Sequence, residues 1–167
     1  MATIGVGEAA PTLDLVLTDA DGHEHRLADA LRRGPVLLGI YKSSCAASKA
    51  MFPFLQRLGD IYGVDGLSVF GIAQDSANIS RSFARRLDLT MPILVEGDDF
   101  PVTLAWDVVA TPTVFLIRQD GTVAWTTMGF MKPQVADLGD AIAAELGVPQ
   151  RTVLTDADAA APMFVPG

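Results

Sequence analysis

The chain holds one cysteine, Cys45, and the residues around it are those that can do chemistry. It follows an apolar run at 36–41 and opens a segment whose apolar positions recur with helical spacing. The first N–H groups of a helix lack internal partners, and the helix dipole is positive there. A thiolate at that point gains hydrogen bonds and favourable charge, which draws its pKa below the free value of about 8.5. The thiolate is the nucleophile, so the chemistry implied is attack on a disulfide sulfur or on a peroxide. Ser48 stands three residues on, one turn away and on the same side. Its hydroxyl can bond the sulfur, or it can serve as an ordinary first-turn serine. Lys42 adds positive charge if its side chain turns inward and is otherwise solvated. Ser43 and Ser44 are a plain loop or donors to the thiolate.

Other polar residues carry weaker signals. His23 and His25 alternate along a predicted surface strand and are expected to be exposed rather than to hold a metal. Asp75 and Glu96 are either solvated loop acids or, if buried beside the thiol, a proton relay. Trp106 and Trp125 are expected to pack. The sequence has no metal-ligand spacing and no glycine-rich phosphate loop, so neither a metal nor an organic cofactor is expected.

The elements that position Cys45 follow from periodicity and turn chemistry. Residues 13–17 alternate like a half-buried strand, 19–22 form a turn, and 23–27 pair back as a hairpin. Residues 27–33 make a short helix, and 36–41 a strand buried on both faces. The helix opened by Cys45 runs to Tyr62, with Pro53 expected to kink it or to remove a backbone bond. Strands are expected at 67–73, 91–95 and 113–117, with a hairpin partner at 122–126. Helices are expected at 77–87, 101–106 and 133–146, the last started by Pro133 and stopped by Gly147. Residues 1–148 form one domain. Residues 149–167 are an irregular tail, laid across the body by Met163, Phe164 and Val165. The alternation implies an α/β domain with a mixed sheet.

Length suits a single domain, and an apolar fraction of 50% with 19% charged residues describes a globular chain. A net charge of -8 excludes a nucleic-acid partner and adhesion to an anionic membrane. No basic residue precedes an apolar run in residues 1–10, and no run spans a bilayer. The protein is expected to be cytoplasmic. The apolar tail leaves a homodimer open.

Several segments together resemble a known superfamily. Ala9-Ala10-Pro11-Thr12-Leu13-Asp14-Leu15, then Asp21-Gly22-His23, then the run from Pro35 to Cys45 is similar to the opening of a redoxin domain. Gly71-Ile72-Ala73-Gln74-Asp75-Ser76 resembles its next strand and loop. Residues 110–117 with Asp120-Gly121 resemble its cis-proline strand and hairpin. This is the thioredoxin-like superfamily of thiol–disulfide reductases and thiol-specific antioxidants. The resemblance implies a thioredoxin-like fold with an N-terminal β-hairpin extension. It also implies a cis peptide at Pro112, with Thr111 facing Cys45 and the Thr111-Pro112 loop meeting substrate beside the sulfur.

One departure from the family is chemical. Where the family carries C-x-x-C, this chain reads Cys45-Ala46-Ala47-Ser48. Oxygen cannot close a disulfide, so internal release of a mixed disulfide is excluded. Either another molecule supplies the second thiol, or Cys45 does other chemistry, or Ser48 replaces a resolving cysteine by engineering. Three functions remain open. The first is a monothiol redox protein, with Cys45 as nucleophile, Ser48 beside it, and Ser44, Thr111 and Pro112 against the substrate, a protein or small-molecule thiol or disulfide. The second is a one-cysteine peroxidase. Peroxidases of the superfamily carry P-x-x-x-T-x-x-C, and here Leu38 and Lys42 stand in the Pro and Thr positions, with Arg118 as a distant arginine. The third is a binding module that has lost catalysis.

Overall fold

The computed structural model describes residues 4–167. Its first half contains β1 (Leu17–Asp19), β2 (Glu24–His25), α1 (Leu27–Leu31), β3 (Val36–Tyr41), α2 (Ala46–Tyr62), β4 (Ser68–Ala73) and α3 (Ala77–Arg86). The second half contains β5 (Ile93–Val95), α4 (Pro101–Ala105), β6 (Thr113–Ile117), β7 (Val123–Met128), β8 (Phe130–Met131), α5 (Lys132–Leu146) and β9 (Phe164–Val165). Seven strands form one sheet in the order β2-β1-β5-β4-β3-β6-β7. The strands β3, β4 and β5 run parallel, joined through α2 and α3, and β6 lies antiparallel to β3. That is the mixed sheet of a thioredoxin-like fold, with β1 and β2 as the N-terminal hairpin extension.

Each face of the sheet buries its own apolar cluster. Leu55, Leu58, Phe83, Leu138 and Ile142 gather α2, α3 and α5 over one face. Leu27, Leu31, Val102 and Trp106 gather α1 and α4 under the other. The strand β3 is buried throughout because both clusters cover it.

Two glycines set how closely α2 can approach. Gly39 and Gly71 are direct cross-strand partners on β3 and β4. A Cβ at Gly39 would lie 2.9 Å from the Phe52 ring, and one at Gly71 3.0 Å from it. The ring of Phe52 therefore rests on a flat patch of two adjacent glycines, and burying it is worth roughly 1.5–3 kcal/mol. Tyr41 stacks on Phe83 at 4.5 Å and tilts against Phe52 at 4.4 Å, tying α2 to α3. The helix α2 runs unbroken through Pro53, which removes only one N–H from its ladder.

Two local expectations near the N-terminus are corrected. Residues 13–17 do not alternate as a strand. Thr12 takes a positive φ of 58°, the N–H of Leu15 bonds the Thr12 carbonyl, and pairing begins only at Leu17. Leu13 and Leu15 still pack on the core, from a turn rather than a strand. The hairpin partner shortens to two residues, since only Glu24 and His25 pair.

The C-terminal segment is more ordered than its composition implies, and polar groups anchor it. The Arg57 guanidinium donates to both Asp158 oxygens at 2.7 and 3.0 Å. Thr155 and Asp158 cap a short 3-10 turn over Asp156–Ala160. The Lys132 ammonium donates to the carbonyls of Asp158 and Ala161. Met163 and Phe164 are exposed, whereas Val165 packs against the core as expected and Val153 is buried in it. The short strand β9 pairs with β8 and carries the chain to Gly167.

Candidate functional site

The buried strand β3 carries the chain to its C-terminal end at Tyr41, and a tight turn over Lys42 to Cys45 reverses it. The N–H of Cys45 bonds the Lys42 carbonyl at 3.1 Å, and the N–H of Ser43 bonds the Asp75 carboxylate at 2.7 Å. Asp75 thus ties this turn to the β4–α3 loop. Cys45 follows as the N-cap of α2, with extended backbone angles of -80° and 124°.

The half-buried Cys45 thiol donates to the Thr111 carbonyl oxygen at 3.2 Å. The Thr111–Pro112 peptide is cis, and Pro112 is buried at the start of β6. Burial by itself pushes the thiol pKa up. The Ser48 N–H, the Thr111 and Ser48 side chains and the Ala47 N–H favour the anion, and the balance falls below the ordinary thiol range. While protonated, the sulfur caps no helix amide within hydrogen-bond geometry. Its proton goes to the carbonyl instead, and the amides act on the charged form.

Ser48 is fully buried, and its Oγ has no hydrogen-bond partner among the described residues. Such a hydroxyl costs about 1–3 kcal/mol unless something accepts its proton. Ser48 stands one turn after Cys45 and is among the groups that draw the thiol pKa down. Ser44 is exposed beside the sulfur, and Lys42 is exposed and absent from the groups that shift the thiol.

The remaining candidates have structural roles. Glu96 caps α4, accepting the N–H groups of Val102 and Thr103 at 3.0 and 2.9 Å. His25 pairs with Asp19 at 2.7 Å on the hairpin. Arg118 lies beyond the end of β6 remote from Thr111 and pairs with Glu145 at 3.0 Å. Trp106 is fully buried against Phe115 at 4.4 Å.

Two features of the site carry no sequence signal. Gly167 lies so close to the Thr111 carbonyl that a Cβ there would meet its oxygen at 2.6 Å. On the other flank of α2, a cavity of about 410 Å³ opens between Ser43, Ser44 and one side of α3. Both depend on how segments distant in sequence come together.

A cysteine opening a helix after a buried parallel strand, with a cis-proline loop across from it, defines a thioredoxin-like redoxin domain. The chain belongs to the AhpC/TSA family, whose model matches residues 6–126. It is 36% identical over 129 residues to the thiol-disulfide oxidoreductase ResA of Geobacillus kaustophilus, covering 77% of this chain and 72% of that protein. A Chlorobium tepidum protein assigned as the thiol:disulfide interchange protein DsbE shares the fold, with a TM-score of 0.78 and 23% identity over 87% of this chain and all of that one. Peroxidoxin BcpB of Mycobacterium tuberculosis shares it too, with a TM-score of 0.72 and 21% identity over 87% of this chain and 99% of that one. Among the described residues no helix is long and apolar enough to cross a membrane.

Proposed function

We propose that the protein is a monothiol redox protein that carries out thiol–disulfide exchange through Cys45. The Cys45 thiolate attacks a substrate disulfide, forms a mixed disulfide and releases one substrate thiolate. An external thiol or partner then attacks the mixed disulfide and frees Cys45. Ser48 donates to the thiolate, while Ser44 and the Thr111-Pro112 loop border the incoming substrate. The observation that carries this reading is the buried, unpartnered Ser48 hydroxyl one turn from the sulfur. The relationship to a thiol-disulfide oxidoreductase at 36% identity supports the same chemistry. Reducing compartments supply the external thiol, and the reading assigns the protein to the cytoplasm.

A peroxidase reading has less to stand on. Arg118 is held by Glu145, and Leu38 is a core residue. Incubation with a model disulfide tests the proposal. The mixed disulfide on Cys45 should persist until a thiol is added. A Cys45 that forms no such adduct, yet is consumed rapidly by hydrogen peroxide, would overturn it.

A further inference from the structure

The cavity beside Ser43 and Ser44 lies between the first turn of α2 and one face of α3. Ile79 and Phe83 give it an apolar wall, and Lys49 and Arg86 bring two cations to it. Lys49 stands four residues after Cys45, on the same side of α2. No ion pair among the described residues involves Lys49 or Arg86. In a chain of net charge -8, these two cations without ion pairs line one partly apolar cavity. A carboxylate complements the cations, and an apolar body complements Ile79 and Phe83.

We propose that this cavity seats the external reductant, a small thiol that carries a carboxylate and an apolar body. The proposal rests on the monothiol reading, because only a site without its own second thiol needs one held nearby. The seated thiolate attacks the Cys45 sulfur of the mixed disulfide. That S–S bond breaks, the substrate half leaves as a thiolate and takes a proton from water, and the small thiol becomes linked to Cys45. A second small thiol attacks the linked sulfur, leaving as the small-molecule disulfide and restoring the Cys45 thiolate. Overall, one substrate disulfide is reduced and two small thiols are oxidised to one disulfide.

Two aromatic disulfides serve as probes, the dianionic dithiobis(nitrobenzoate) and the neutral dithiodipyridine. Each adds an aryl thiol to Cys45 and releases a coloured thiolate. The reaction with the anionic probe should saturate with concentration. In Lys49→Glu/Arg86→Glu, the anionic-to-neutral rate ratio should fall about tenfold, the order expected of two surface charge contacts. Arg32→Glu/Arg33→Glu, just after α1, changes the net charge equally on the opposite face and should leave the ratio within about twofold, since distant exposed charges are screened. Ser82→Trp, which fills the cavity, should abolish saturation by the anionic probe while iodoacetamide still alkylates Cys45. An unchanged ratio in the Lys49/Arg86 variant, or an equal fall in the Arg32/Arg33 variant, overturns the seat. A wild-type Cys45 that accepts neither probe overturns the monothiol reading itself.

Discussion

The Cys45 sulfur and the Thr111 carbonyl oxygen, 66 residues apart in sequence, lie 3.2 Å apart. The protonated thiol donates across that gap, whereas the thiolate has nothing to donate to the carbonyl. Ionisation therefore removes that bond, and the groups that favour the anion are the Ser48 and Ala47 amides and the Thr111 and Ser48 side chains.

The first prediction concerns this exchange. Alkylation of Cys45 by iodoacetamide, followed against pH, should show a midpoint below the free-thiol value of about 8.5. Ser48→Ala should move the midpoint up, since one donor to the anion is lost. The same change removes a buried unpaired hydroxyl, so thermal stability should hold or rise by about 1 kcal/mol. Loss of stability without a shift in the profile would assign Ser48 to packing alone.

A second prediction restores the missing sulfur. Ser48→Cys places two thiols one helical turn apart at the start of α2. The variant should close an internal disulfide on oxidation and release a Cys45 mixed disulfide without added thiol. Mass spectrometry of the trapped adduct against time distinguishes this from wild type, where the adduct persists.

The Arg57–Asp158 clasp gives a pH-dependent prediction. Hydrogen bonding to Arg57 holds the Asp158 carboxyl down to about 2 from 3.8. A carboxyl depressed in the folded state contributes stability above its unfolded pKa of about 4 and loses it as pH falls toward 2. Asp158→Asn should cost about 1–2 kcal/mol near neutrality and leave a flatter acid limb in urea unfolding. Equal losses at pH 7 and pH 2 would assign the effect to packing.

Gly71→Ala should destabilise by about 1–3 kcal/mol, because its Cβ would press on the Ile93 side chain at 2.8 Å and on the Phe52 ring. Displaced Phe52 also shifts α2, so the Cys45 alkylation rate should change with it. A stable variant with unchanged alkylation would show that the glycine patch does not set the helix position.

Much of this architecture is legible in the sequence because its signals are local. The run at 36–41 and the helical spacing after Cys45 locate β3 and α2, and Pro133 with Gly147 brackets α5. The strand expected at 13–17 fails because alternation of Leu13, Leu15 and Leu17 looks the same in a turn that packs its leucines inward. Order in residues 149–167 is hidden because its anchors, Arg57 and Lys132, lie far away in sequence. For the same reason, the half-burial of Cys45 and the burial of Ser48 are readable only once α2 is laid on the sheet.

Gly167 closes one approach to the Cys45–Thr111 pair. It sits against the Thr111 carbonyl on the side of α2 occupied by α5 and β9, with no room there for even a methyl group. The protein's own backbone therefore lines that side of the reacting pair. Whatever reaches the Thr111 carbonyl from there meets main chain, not a side chain that substitution could reshape.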